Sequence, residues 1–207
     1  MSSMNSEITS IFPIPIYMSK LERELNKKEL LFINETKLNV YKNEGNTTSK
    51  DVYILNHKKF KNLKTELNLR IKDYFDKIIC SSNKITPYIT QSWLNYTETN
   101  QYHHKHNHPN SLISGILYIN TDEKFDKINF FKDIYNAIDI ESNEWNLWNS
   151  KSWWFQVKTG DIILFPSSLT HMVEKKEGTN TRISLAFNVF IKGIIGDKKK
   201  LGELHLQ

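Results

Sequence analysis

Gly160-Asp-Ile-Ile-Leu-Phe-Pro-Ser-Ser-Leu-Thr-His171 is the stretch on which the reading of this chain turns. Thr159-Gly-Asp161 is a turn signal, and Ile162-Ile-Leu-Phe165 is a short apolar run of strand length bounded by it. His171-Met-Val173 is a second short extended piece. Arg182-Ile-Ser-Leu-Ala-Phe-Asn-Val-Phe190 follows as a longer one. Upstream, Tyr88–Tyr96, Ser114–Asn120, Ile128–Phe131 and Trp153–Val157 carry the same β-branched and aromatic character.

The first part of the chain reads differently. Lys20 to Thr36 has helical spacing through Leu21, Leu25, Leu30, Leu31 and Ile33. Phe60 to Ile79 has it through Leu63, Leu67, Leu69, Ile71, Tyr74, Phe75 and Ile78. Ile11–Tyr17 is extended, and its prolines confine it to a sheet edge. Asn43–Ser49 reads as a polar loop, and Asp133 to Ser152 as a long loop between strands. Helices first and short strands afterwards predict an α+β chain whose C-terminal half is a β-sandwich or barrel. No linker or repeat divides it, so one domain is expected over 1–207, with helical support at about 20–80 and the strand core at about 86–192.

Composition narrows the class. The chain has 207 residues, 39% of them hydrophobic and 12% aromatic, which suits an ordered globular protein. No apolar run reaches the roughly 18 residues of a membrane span. Met1–Glu7 lacks the basic start and apolar core of a signal peptide, and Cys80 is the only cysteine. The expectation is a cytoplasmic protein without a membrane partner. The net charge of +5 reads as lysine-rich surface, with Lys198–Lys200 as a solvated tail. Nucleic acid stays open as a partner, although no basic–aromatic interleaving of the single-strand-binding kind stands out. A homo-oligomer paired through exposed N-terminal strands also stays open.

The chemistry lies in Gln101-Tyr-His-His-Lys-His-Asn-His-Pro-Asn-Ser111, which holds four of the seven histidines. Along a strand, side chains alternate faces, so His104, His106 and His108 are expected to point one way and His103 the other. Two histidines spaced i and i+2 can grip one metal, and His171 can close the site from another strand. Two registers are open for the proximal pair, His106/His108 and His104/His106. Three protein ligands leave coordination positions free for chemistry. The plainer alternative is a cluster that binds metal without catalysis. Trp145, Trp148, Trp153 and Trp154 read either as packing and loop anchors or as an apolar lip over the site, and Trp93 reads as core.

Gly160–His171 followed by Arg182-Ile-Ser184 resembles the second half of an Fe(II)/2-oxoglutarate-dependent oxygenase. His106-Asn-His-Pro-Asn-Ser111 through Tyr118, with Phe12–Tyr17 and Gln91–Asn95, is similar to a group of such oxygenases found in phages and bacteria. The resemblance covers nearly the whole chain. It implies a double-stranded β-helix (jelly-roll, cupin-like) core with flanking N-terminal helices. It implies Fe(II) on His106, His108 and His171, with His108 standing where most of the superfamily has a carboxylate. It implies 2-oxoglutarate held by Arg182 and Ser184 with Tyr118 near it, and O2 as the oxidant. The activity implied is hydroxylation coupled to decarboxylation of 2-oxoglutarate, with a protein side chain or a small molecule as substrate, in the host cytoplasm if the gene is a phage's. Two competing readings are a three-histidine cupin-like dioxygenase that does not use 2-oxoglutarate and a non-catalytic, metal-binding phage structural or interaction protein.

Overall fold

The computed structural model describes residues 5–132, 138 and 140–207. Its elements run in the order β1 (Tyr17–Lys20), α1 (Lys27–Lys37), β2 (Val40–Lys42), β3 (Thr47–Ser49), α2 (Lys61–Tyr74), β4 (Ile85–Thr97), β5 (His103–His106) and β6 (Ile113–Asn120). Then come β7 (Lys127–Phe131), β8 (Ser152–Gln156), β9 (Asp161–Pro166), β10 (His171–Val173), β11 (Arg182–Ile195) and β12 (Leu204–Leu206).

The strands form an eight-stranded sheet, ordered β1-β9-β6-β11-β4-β3-β2 with β12 also on β11, and a four-stranded sheet, β5-β10-β7-β8. All of these ladders are antiparallel. This is the expected α+β architecture with a jelly-roll core.

Two hydrophobic clusters follow from period-2 alternation along the large sheet. Leu94 and Tyr96 of β4, Ile113 and Leu117 of β6, Ile162 and Leu164 of β9, and Leu185, Phe187 and Val189 of β11 meet the helices. The helices answer with Ile33 of α1 and with Leu63, Leu67, Ile71 and Tyr74 of α2, spaced for one helical face. The intervening residues face the small sheet. There Tyr118, Ile163 and Phe165 pack with Ile128 and Phe130 of β7. Gly115 lets the sheet accept a large ring: a Cβ there would lie 2.1 Å from the Phe187 ring, its partner on β11.

Several expectations shift. The first helix starts at Lys27 instead of Lys20, because Asn26 and Glu29 form a capping box: Asn26 Oδ1 accepts from the backbone N–H of Lys28 and Glu29, and Glu29 Oε2 accepts from that of Asn26. Leu21 and Leu25 pack against the helix-side core from the segment before it, while Leu30 and Leu31 are exposed. Helix α2 passes into a π-helical turn over Phe75–Ile79, and Leu69 and Ile78 lie off its buried face. The polar loop at 43–49 is a hairpin joining β2 to β3, turned at Gly45 with φ +88°. The C-terminal lysines form one 3-10 turn, after which the chain returns to the sheet as β12. Of the long loop read at 133–152, residues 133–137 and 139 lie outside the described residues.

Candidate active site

His106 ends β5 and His171 begins β10, and the two are paired in register across the small sheet. His108 lies just past β5, where its backbone N–H donates to Ser167 O at 2.9 Å. One ring nitrogen from each of His106, His108 and His171 lies within 4.8 Å of the others.

Each ring is oriented from behind. Nδ1 of His106 lies 2.7 Å from His104 O, that of His108 2.7 Å from Asn188 Oδ1, and that of His171 3.2 Å from Leu169 O. Because these partners are acceptors, each Nδ1 carries the proton and each Nε2 keeps its lone pair. His108 Nε2 is buried with no hydrogen-bond partner, as suits an atom meant for a metal. Asn188 Oδ1 also accepts from Ser114 Oγ at 3.2 Å, and Ser114 Oγ lies 2.9 Å from Ser167 Oγ. Burial, with smaller contributions from neighbouring imidazoles, lowers the pKa of His108 to about 4 and that of His171 to about 3; burial also lowers that of His106. The three rings are therefore neutral and ready to ligate near pH 7. The residues fit a first-row metal ion with an all-nitrogen donor set.

The expectation that His103 faces away is corrected. His103 lines the inner chamber and stacks on His106 at 4.6 Å between ring centroids. The β5–β10 ladder pairs His171 with His106 but Val173 with His103, so a bulge in β5 spends an extra residue and breaks the alternation. His103, His104 and His106 form a second histidine group within 4.8 Å, sharing His106 with the first. His104 has a 3.5 Å contact from Nδ1 to Glu44 O, at the limit for a hydrogen bond, so its ring is held less firmly than that of His108. This difference favours the His106/His108 register.

Arg182, Ser184 and Tyr118 gather on the same interior face. Tyr118 and Ser184 are cross-strand partners, and Arg182 lies two residues before Ser184 on β11. All three line an inner chamber of about 30 Å³ together with the histidines and Trp93. The Tyr118 hydroxyl is buried without a partner, and burial raises its pKa, so it remains a free hydrogen-bond donor. Arg182 is buried, which lowers its pKa, and Asp126 opposes that shift from 3.3 Å. A buried guanidinium, an unpartnered hydroxyl and a serine on one wall fit a carboxylate guest.

Asp122 and Glu123 lie outside both histidine groups. Sequence reasoning missed Asp126, the buried acid of this region, because its partners Lys176 and Arg182 are distant in the chain. It also missed Asn188 as the hydrogen-bond partner of His108. Trp93 is corrected from core to site: its ring stacks on His108 at 5.7 Å. The chamber shares Trp93, His103, His106 and His108 with an open cleft of about 660 Å³. Trp145, Trp148, Trp153 and Trp154 are all exposed and line neither the chamber nor the cleft.

Residues 91–188 match the family model described as "Putative 2OG-Fe(II) oxygenase", a span that takes in every residue assigned to the site above. No curated protein matches the sequence. Among solved structures the chain is similar to HygX from Streptomyces hygroscopicus with nickel, 2-oxoglutarate and hygromycin B bound, at 10% identity and TM-score 0.58, over 85% of this chain and 82% of that one. The non-heme alpha ketoglutarate dependent epimerase SnoN from nogalamycin biosynthesis superposes at 8% identity and TM-score 0.63, over 87% and 79%. A Pseudomonas putida prolyl-4-hydroxylase does so at 10% identity and TM-score 0.54, over 84% and 92%. At such identities the likeness shows the shared fold.

Proposed function

We propose that this chain, whose residues 91–188 match the 2OG-Fe(II) oxygenase family model, is an oxidoreductase of that kind and hydroxylates its substrate with His106, His108 and His171 as the iron ligands. The observation that carries this reading is the convergence of three neutral histidines, each oriented through Nδ1, on the chamber where Arg182, Ser184 and Tyr118 face inward. When bound, Fe(II) and 2-oxoglutarate supply the oxidising chemistry, coupling loss of carbon dioxide from the cosubstrate to insertion of oxygen from O2 into a substrate C–H bond.

The protein's own share is binding, orientation and exclusion of water. Arg182 pairs with the far carboxylate of 2-oxoglutarate, and Ser184 and the Tyr118 hydroxyl complete its hydrogen bonds. His171 and His106 present their lone pairs from a register pair of the small sheet, and His108 is held by Asn188 of the large one. The three-histidine set lacks the customary carboxylate, so the charge of the dianionic cosubstrate is what balances the metal.

Substrate enters through the open cleft. It is lined by the aromatic faces of Tyr41, Tyr53 and Trp93 and by neutral amides such as Gln91, Asn107 and Asn110. Among the described residues, no lysine, arginine, aspartate or glutamate lines it. This lining suits an uncharged polar group, either on a protein side chain or in a small molecule. No helix among the described residues is long and apolar enough to cross a membrane, and we place the activity in the cytoplasm.

Anaerobic titration with Fe(II) and then 2-oxoglutarate should give a weak metal-to-ligand charge-transfer band, and admitting O2 should give succinate. Absence of both would overturn the reading. The neutral donor set also suits a three-histidine dioxygenase that takes no 2-oxoglutarate. Under that alternative Arg182→Ala leaves turnover intact, whereas under the proposal it abolishes cosubstrate binding.

A further inference from the structure

Behind the chamber lie three buried charges. The side chains of Lys176, Asp126 and Arg182 are 0%, 1% and 4% exposed. Lys176 Nζ lies 3.4 Å and Arg182 Nη1 3.3 Å from the same Asp126 oxygen, Oδ1. The other oxygen, Oδ2, accepts the Asp122 backbone N–H at 2.8 Å and lies 3.5 Å from Lys176 Nζ. The charged contacts are long for ionic hydrogen bonds, which usually close to about 2.7–2.9 Å. One carboxylate is thus divided between two cations, and neither is fully satisfied. Within ion-pair distance two cations share one anion, a local excess of positive charge out of water that is costly and that an incoming anion relieves; Asp161 and Glu98 act on this region from farther away.

Lys176 is fixed where it stands. It sits in the loop between β10 and β11, and its backbone N–H donates to Gln101 O at 2.8 Å while its carbonyl accepts from Asn100 N at 2.9 Å. These bonds tie the loop to the segment leading into the histidine strand. Lys176 does not line the chamber, whereas Arg182 does. Its influence on a guest therefore runs through Asp126.

We propose that Lys176 is a positioning residue that shares the charge of Asp126 and so keeps Arg182 available to the cosubstrate's far carboxylate. This inference rests on the reading that the chamber takes 2-oxoglutarate. Without the lysine, Asp126 closes fully on Arg182, the cluster becomes neutral, and the attraction for an anion is lost. Removing Lys176 and Asp126 together leaves Arg182 as a lone cation and restores that attraction. A merely structural lysine would change the melting temperature without moving the 2-oxoglutarate Kd.

The experiment is calorimetric titration of 2-oxoglutarate into the full chain loaded with Zn(II), which supports no turnover. For Lys176→Met the expected result is a Kd weakened by about tenfold or more, on the scale of one charge at short range in a partly shielded site, with Zn(II) affinity unchanged. Lys176→Arg and the double variant Lys176→Met/Asp126→Asn should both bind within about threefold of wild type, since each keeps the surplus charge. A Lys176→Met protein that melts at lower temperature but binds 2-oxoglutarate as wild type does would overturn the inference, as would a double variant no better than the single one. If Lys176→Met does not fold, the double variant decides alone: binding retained supports the inference, binding lost contradicts it. A wild-type chain that takes up no 2-oxoglutarate overturns the functional reading itself, and wild-type binding that Lys176→Met leaves unchanged overturns only this one.

Discussion

Along β11, Leu185, Phe187, Val189 and Ile191 face the helices, while Arg182, Ser184 and Asn188 face the small sheet. The same division runs through β4, where Leu94 and Tyr96 look one way and Trp93, Asn95 and Thr97 the other. One face is a dry apolar contact that holds the sheet to α1 and α2. The other carries hydroxyls, an amide, a guanidinium and the ring of Tyr118, and it adjoins the histidines. Strand alternation lets two neighbouring residues serve unrelated ends, so stability and chemistry separate by residue parity. Substitutions on the two faces should therefore have different signatures.

The largest effect is expected on the chemical side. His171→Ala should weaken metal binding by well over about 100-fold, beyond what loss of a supporting hydrogen bond costs, and abolish succinate formation. The metal-free protein should still fold, at a lower melting temperature, because the buried ring that packs on Phe165 and Phe130 is lost. On the helix side, Phe187→Ala should cost about 3–5 kcal/mol by cavity formation, measured by denaturant unfolding, while the folded protein keeps its metal affinity. A loss of metal affinity comparable to that of His171→Ala would break the separation of the faces.

Two smaller effects sharpen it. Asn188→Ala removes the acceptor that orients His108 and should weaken metal binding by about 10–100-fold, read by competition with a chromophoric chelator. Gly115→Ala places a methyl against the Phe187 ring and should cost about 1–3 kcal/mol of stability through overpacking, leaving cosubstrate binding alone.

The pH dependence of the metal-free protein belongs to the chemical face. The folded-state pKa values of His108 and His171, about 4 and about 3, lie below the ordinary imidazole value of about 6.5. Between these values the unfolded chain binds more protons than the folded one, so stability is full above about pH 6.5 and falls as the pH drops toward 4. Melting scans across that range should show the fall, and His108→Ala should reduce it.

The legible part of the fold is the part governed by local pattern. The sequence marks β10 at its observed bounds, and β6 and β9 within a residue at each end, since each is a short extended piece marked off by polar or turn residues. The start of α1 was misread because Leu21 and Leu25 have helical spacing, yet they pack from the segment before the cap at Asn26. Of the site, the histidine pattern marks His106 and His171 and leaves His104 and His108 open as the second proximal ligand, while the resemblance supplies Arg182, Ser184 and Tyr118. The inward turn of His103 was hidden because a bulge leaves no mark in composition. Asp126 and Lys176 were hidden because their meeting with Arg182 depends on three loop and strand ends brought together by the fold. Trp93 reads as core in the sequence because strand periodicity does not say which face of a sheet is dry.

The proposed iron site puts a third imidazole where most of the superfamily places a carboxylate. A crystal structure of the chain grown anaerobically with Fe(II) and 2-oxoglutarate, with anomalous scattering at the iron edge, tests it most directly. The expected result is one iron bound by His106, His108 and His171, with the far carboxylate of 2-oxoglutarate on Arg182. Iron on His103, His104 and His106, or an aspartate or glutamate among the ligands, would contradict it.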